Sequence, residues 1–256
     1  MKNVEPALSI ITVCYNALED LKGTLASVDA QTASDFEYIV IDGGSTDGTP
    51  AYLASQMRVD QYVSEPDRGL YDAMNKGIQM ARGKMIWFMN AGDRLMDSDT
   101  VNQILSVQGE TVDVIYGEVM LVDENRRHLG TRSELSVQVL PKDLDWKSMR
   151  FGMRVCHQAF IVRRSIVPLY MDNNLTADID WVIRCLKKAN QVVNTDCVLA
   201  EYLQGGISKQ HHKQSMLDRY EVLKSHFGFF PNIVNHAWIL VRAQLFKIQR
   251  WGKPRY

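Results

Sequence analysis

At 256 residues the chain can bury a real core and sits near the upper end of what one domain holds. Its 46% hydrophobic and 23% charged content is that of an ordinary soluble globular protein. A formal net charge of -1 leaves no global field pointing to nucleic acid or to an acidic partner.

Met1 to Pro6 is polar, and the apolar run Leu8 to Cys14 is too short and too mixed for a signal peptide or a spanning helix, so a cytoplasmic chain is expected. Cys14, Cys156, Cys185 and Cys197 stand far apart with no CxxC pair. They read as reduced, mostly buried thiols.

Ser9 to Val13 is a β-branched run, the mark of a parallel strand buried on both faces. Asn16 is placed to cap a helix carrying Leu18, Leu21, Leu25 and Val28 on one stripe. Phe36 to Ile41 is a second buried strand, and the turn DGGSTDGTP follows it. Thr49 then Pro50 reads as N-cap and first helical position of the next helix. Gln61 to Ser64 is a short strand, Leu70 to Ala81 a helix, and Met85 to Met89 a third strong strand stopped at Asn90-Ala91-Gly92-Asp93. This alternation predicts a mostly parallel sheet with helices on both faces and ligands beyond the carboxyl ends of the strands.

From Val112 the pattern shortens. Val112 to Tyr116, Glu118 to Val122, Arg127 to Thr131 and Cys156 to Val162 are expected strands. Ile179 to Ala189 is an expected helix, with Ile179, Val182, Ile183 and Leu186 inward. The simplest division is one α/β domain over residues 1–210 and a helical extension over 211–256.

Each suggestive loop begins at a strand end. Asp42 ends the second strand, where a carboxylate can accept from a base imide or from ribose hydroxyls; an Asx-turn is the structural alternative. Asp93 ends the third strong strand, and a lone acid there suits a divalent cation that keeps waters and phosphate oxygens as its other ligands. A turn or helix cap is the alternative. Asp178 and Asp180 open a helix, where the macrodipole alone can account for acids. A general base for a sugar hydroxyl must be an ionised carboxylate held at the cleft, and two acids at this spacing do not share a face.

These loops, taken together, resemble family 2 glycosyltransferases of the GT-A fold, inverting enzymes of bacterial polysaccharide assembly of the colanic-acid type. SIITVCYN and QTASDFEYIVIDGGSTDGT look like the nucleotide-binding half, about residues 1–110. SEPDRGLYDAMNKGIQMARG and WFMNAGD are similar to the donor loop and the metal motif. CHQAFIVRRS, TADIDWVIR and GGIS look like the acceptor half, about residues 111–210. The resemblance implies that Val13 and Tyr15 flank the base and that Asp42 binds the nucleoside, with Asp67 and Arg68 near ribose or base. It further implies Asp93 as ligand of Mn²⁺ or Mg²⁺ and Asp178 as catalytic base. Gly43, Asn90, Gly92 and Ala177 stand where many members carry acids, which implies a weakly held metal and loads the base role onto Asp178.

The activity implied is transfer of a hexosyl or acetylhexosaminyl group from a nucleotide-diphosphate sugar, UDP by default, to a hydroxyl of a glycan or lipid-linked acceptor. Two other readings remain open: an inactive nucleotide-sugar-binding assembly partner, and a nucleotidyltransferase, which the absence of a phosphate cradle at Cys14-Tyr15-Asn16 disfavours. His157 is expected in a strand as a core or acceptor-site residue. His211 and His212 follow GGIS, either as a lid over the diphosphate or as a solvated helix start.

After Glu221 the sequence has no Asp or Glu, while Lys224, Arg242, Lys247, Arg250, Lys253 and Arg255 all fall there. Val234, Trp238, Val241, Leu245 and Ile248 recur at helical spacing. A cationic amphipathic helix at an anionic membrane is expected, against a terminal helix packed on the domain with its basic face in water.

Overall fold

The computed structural model describes residues 5–203 and 212–249. β1 (Leu8–Cys14) and β2 (Phe36–Asp42) are buried along their whole length, as β-branched runs with helices on both faces should be. The polar exceptions pair with each other: Ser9 Oγ donates to Glu37 Oε1 at 2.6 Å, and Arg82 closes the pair from the surface. β3 (Gln61–Ser64) lies parallel to β2, and β4 (Met85–Phe88) parallel to β1. Helices α1 (Leu18–Asp29), α2 (Thr49–Ala54) and α3 (Leu70–Met80) make the crossovers.

Beyond β4 the sheet turns mixed. Its order is β3-β2-β1-β4-β8-β6-β9-β5, where β5 is Arg94–Leu95, β6 Val114–Val122, β8 Phe160–Arg163 and β9 Val192–Leu203; β7 (His128–Thr131) pairs with β6 alone. β8 runs antiparallel to both β4 and β6, so β6 and β9 regain the direction of β4. The carboxyl ends of β1–β4 and of β9 therefore lie on one edge.

Helices α4 (Thr100–Val107), α5 (Arg132–Leu135), α6 (Ala177–Lys188), α7 (His212–Phe227) and α8 (Phe229–Gln249) complete the described chain. The sheet carries a core on each face. On one, Phe88, Phe160, Tyr170 and Trp181 pack under α3 and α6; on the other, Leu21, Leu25, Val101 and Ile104 pack under α1 and α4.

Several expectations shift. The two strands expected at Val112–Tyr116 and Glu118–Val122 are one, because Gly117 lets β9 cross tightly. A β-carbon there would meet the Cys197 carbonyl and Thr195 Oγ1 at 2.7 Å. His157 sits in a 3₁₀ turn (His157–Ala159) ahead of β8, not in a strand. Asn16 does not cap α1: its φ is 47°, and the first turn receives its side-chain acceptor from Asp47, which takes the Leu18 N–H at 3.0 Å. Thr49 is the first residue of α2 and not its cap; Gly48 takes the cap position, at φ 93°. The loop GGIS and His211 lie outside the described residues, and nothing is described of the His212 side chain.

Candidate active site

The loops after β1 and β2 are joined by side chains. Asn16 Oδ1 accepts from the Thr46 N–H at 2.9 Å, and Ser45 Oγ accepts from the Asn16 N–H at 2.7 Å. Asp42 is what braces this junction. It is 0% exposed, its oxygens accept from Ser45 N–H (3.1 Å), Ser45 Oγ and Ser64 Oγ (2.6 Å), and Cys14 Sγ lies beside it. The expectation that this carboxylate faces the ligand crevice is corrected: a fully bonded acid with no exposed surface holds the three loops together instead. Val13 is corrected in the same way, since its side chain belongs to the core with Ile11 and Ile41.

The exposed groups here are Tyr15, at 65%, and the half-buried Asp67. They meet over Gly43, where a β-carbon would fall 2.5 Å from Asp67 Oδ2 and 3.4 Å from the Tyr15 ring. Asp67 Oδ1 accepts from the Gly69 N–H at 2.8 Å, which fixes the turn into α3. Arg68 turns away, binding Asp72 at 2.8 Å and reaching Asp172 at 3.9 Å in the segment before α6. It spans the gap between the β3 loop and that segment.

Asp93 is 5% exposed. Gln158 Nε2 donates to its Oδ2 at 2.9 Å and the Leu203 N–H to its Oδ1 at 3.2 Å, so the acid ties the β4 loop to the end of β9. Burial pushes its pKa up to about 7, against those two hydrogen bonds and Arg126. No group of three or more His, Cys, Asp or Glu converges on a cation site among the described residues. A cation that arrives on a diphosphate needs fewer protein ligands, one or two oxygens beside phosphate and water. Asp93 keeps lone pairs beyond its two hydrogen bonds. Asn90 Oδ1 is buried and without a hydrogen-bond partner in the described structure. Asn90 and Asp93 belong to one turn, the Asp93 N–H donating to the Asn90 carbonyl at 3.0 Å, and their side-chain oxygens suit such a cation without making a resident cage.

Asp178 opens α6, half-buried, with Oδ1 accepting from the Ile179 N–H at 2.9 Å. Burial raises its pKa to about 6, opposed by backbone N–H groups, the Tyr71 hydroxyl and Arg132. It is therefore ionised at neutral pH, yet close enough to neutrality to take a proton. Burial raises the pKa of Tyr202, the residue before the last of the long strand β9, and the charges of Asp93 and Asp178 both add to that rise. Asp180 points elsewhere. It bonds Arg184 at 2.6 Å and His226 of α7 at 2.8 Å, and although burial works the other way these partners hold it below the usual carboxylate range.

α3 and α7 set the position of Asp178. Asn75 exchanges two hydrogen bonds with the Tyr170 backbone, Tyr71 Oη donates to the Leu175 carbonyl at 3.3 Å, and the Leu175 N–H donates to Asp218 of α7 at 2.8 Å. Gln158, Tyr71 and Tyr202 were not singled out in the sequence. Gln158 follows His157 in CHQAF, and that was the only signal available. His157 is a core residue: its Nε2 shares a 2.5 Å hydrogen bond with Tyr170 Oη, aromatic rings surround it, and burial lowers its pKa to about 4. A hollow of about 790 Å³ lies at the opposite edge, among Glu5, Lys84, Arg163 and Arg164. Both arginines there are already bonded, to Asp113 and to Glu5, and none of the groups above reaches it.

A family-wide sequence model described as Glycosyl transferase family 2 matches residues 9–168. A PGL/p-HBAD biosynthesis glycosyltransferase of Mycobacterium bovis is 31% identical over 97% of this chain and 92% of its own. An uncharacterized glycosyltransferase of Mycobacterium tuberculosis is 32% identical over 91% of this chain and 90% of its own. Two solved structures share the fold at low identity, which makes it GT-A. Staphylococcus aureus TarS 1–349 in complex with UDP-GlcNAc superposes with TM-score 0.66 at 18% identity, covering 84% of this chain and 64% of that one. The chain thus spans less than two thirds of that structure. The mannosyltransferase PcManGT of Pyrobaculum calidifontis, in complex with GDP-Man and Mn²⁺, superposes with TM-score 0.65 at 15% identity, covering 99% and 77%.

Proposed function

The chain belongs to glycosyl transferase family 2, and from that premise we propose that it moves a sugar, with inversion, from a UDP-sugar to a hydroxyl of a lipid-linked glycan in polysaccharide assembly. What supports the proposal is that Asp178, at the start of α6, and Asp93, bonded to the last residue of β9, both act on the Tyr202 hydroxyl of that strand, whose pKa burial raises first. One is a half-buried carboxylate with a pKa near 6; the other lies in the loop beyond the carboxyl end of the parallel strand β4, where a diphosphate and its cation belong.

Tyr15 stacks on the base in this reading, and Asp67 bonds the nucleoside. Asp67 fills the space that an acid after Asp42 would otherwise enter, and so replaces the acid that Gly43 lacks. Arg68 lies at the ribose side. Asp93 and Asn90 Oδ1 would hold a divalent cation, which would supply charge compensation at the diphosphate. Asp178 accepts the proton of the acceptor hydroxyl as its oxygen attacks the anomeric carbon. The bond from that carbon to the diphosphate oxygen breaks in the same displacement, and the nucleoside diphosphate leaves with the electron pair. The sugar transferred is a hexosyl or acetylhexosaminyl group, and a lipid-linked acceptor brings the enzyme to an anionic membrane.

The test is incubation with UDP- and GDP-sugars, Mn²⁺ and a lipid-linked acceptor, reading nucleotide release and the anomeric configuration of the product by NMR. Retained configuration, or no nucleotide release with any donor, rejects the proposal.

A further inference from the structure

α8 is amphipathic in the reverse sense of a helix that closes a core. At 100° per residue, Phe230, Val234, Trp238, Val241, Leu245 and Ile248 fall within an arc of about 80°. All six are exposed, Val234 at 69% and Trp238 at 48%. The opposite side faces the protein and is mixed, with half-buried Ile239, Ala243 and Phe246 beside polar groups that bond inward. Asn232 is buried and donates to the Tyr220 carbonyl at 3.1 Å, His236 packs edge-on against Tyr220, and Arg242 reaches Gln138 and the Phe151 ring. Of the expected alternative, a terminal helix packed on the domain with its basic face in water, the packing is present, but Arg242 turns to the protein and the apolar stripe turns to water.

We infer that this outward stripe of α8 is a docking surface whose occupant is an anionic lipid bilayer. The inference rests on the lipid-linked acceptor only for its purpose, since the stripe is present whatever the acceptor is. Three observations choose the bilayer over a protein. After Glu221 the sequence carries six Lys and Arg and no acid, so although Lys224 pairs with Glu221 and Arg242 turns inward, this end has a net positive charge that meets an anionic surface with attraction and a second copy of itself with repulsion. The stripe is also small for a protein partner. A 21-residue helix is about 30 Å long, and with exposed Ile233 and Leu240 included the apolar side is about 15 Å wide and offers on the order of 450 Å², against roughly 800 Å² per partner in a stable interface. Finally, no helix among the described residues is long and apolar enough to cross a membrane, so α8 lies along the surface.

The placement has a mechanical sense. α7, which precedes α8 across Gly228, holds α6 through His226–Asp180 and the Leu175 segment through Asp218. The helix lying on the bilayer is thus joined by one turn to the helix that orients Asp178.

The experiment is flotation of the full chain with vesicles of phosphatidylcholine alone or with 30% phosphatidylglycerol (roughly the charge density of an anionic membrane), at low and at high salt. The double variant V234E/V241E is run in parallel, with UDP-sugar binding followed throughout. We expect flotation with the anionic vesicles, weakened by salt, at least tenfold weaker in the variant, and unchanged donor binding in both proteins. Absence of flotation at low salt overturns the inference, as does equal flotation of the variant. A dimer that the variant dissociates also overturns it and gives the stripe to a second copy. Failure of sugar transfer leaves these outcomes untouched, so the two proposals fail separately.

Discussion

Asp67 Oδ2 stands 2.5 Å from the point where a β-carbon on Gly43 would be. A side chain at 43 must therefore displace the carboxylate proposed to bind the nucleoside. Gly43→Ala is expected to weaken UDP affinity about tenfold, as Asp67→Ala does, and the double variant should lose little more than either alone. Isothermal titration with UDP checks this, and additive losses would separate the two residues.

Asp178→Asn should lower turnover by about 10²- to 10⁴-fold with donor affinity nearly unchanged, since the lost base acts on the acceptor. In the native enzyme kcat/KM should rise with pH through about 6, the pKa at which burial holds this acid. A pH profile with no acidic limb near that value removes Asp178 from the base role.

The same acid costs stability. Its folded pKa, about 6, lies above the ordinary 3.8, so the native state holds the proton more tightly than the unfolded chain. Stability contributed by the neutral form is present below about pH 4 and is lost as pH rises through about 6. Asp178→Asn should therefore stabilise the fold near pH 7.5 by about 1 kcal/mol, roughly 2–4 °C in Tm, with no gain at pH 4. Thermal melts at the two pH values distinguish this from a pH-independent packing effect.

Asp93→Asn keeps an acceptor for one of its two donors and removes the charge. It should cost little stability and abolish the Mn²⁺-dependent part of donor binding, while Asn90→Ala reduces that part several-fold. Titration of UDP with and without Mn²⁺ is the measurement. A variant at Asp93 that still gains affinity from Mn²⁺ places the cation elsewhere.

β1, β2 and β4 were legible as apolar runs buried on both faces, and the short, half-exposed β3 was legible at its observed bounds, Gln61–Ser64. β9 was not, because Asn194, Thr195 and Asp196 break its apolar pattern at the register shift against β6, where Asp196 takes φ 54°. Asp42 was recognised by its place at a strand end, but nothing in the sequence says that Ser45 and Ser64 turn its carboxylate inward. Gln158 and Tyr71 matter through what they touch, Asp93 at 65 positions' distance and the Asp178 turn, and such contacts leave no local pattern. α8 shows the reverse case. Its periodicity is plain, yet the side that faces water was set by the Tyr220 and Gln138 contacts and not by the stripe.

The ring system of Phe88, His157, Tyr170 and Trp181 takes one member from the first 110 residues and three from those after them, with Tyr170 and Trp181 stacked at 4.9 Å. A chain severed near residue 110 would leave Phe88 without its three companions and would split the sheet between β4 and β8. Both cores draw members from each side of that cut, so limited proteolysis of the native protein should not release a stable donor-binding piece, and complementation would need both fragments folding together.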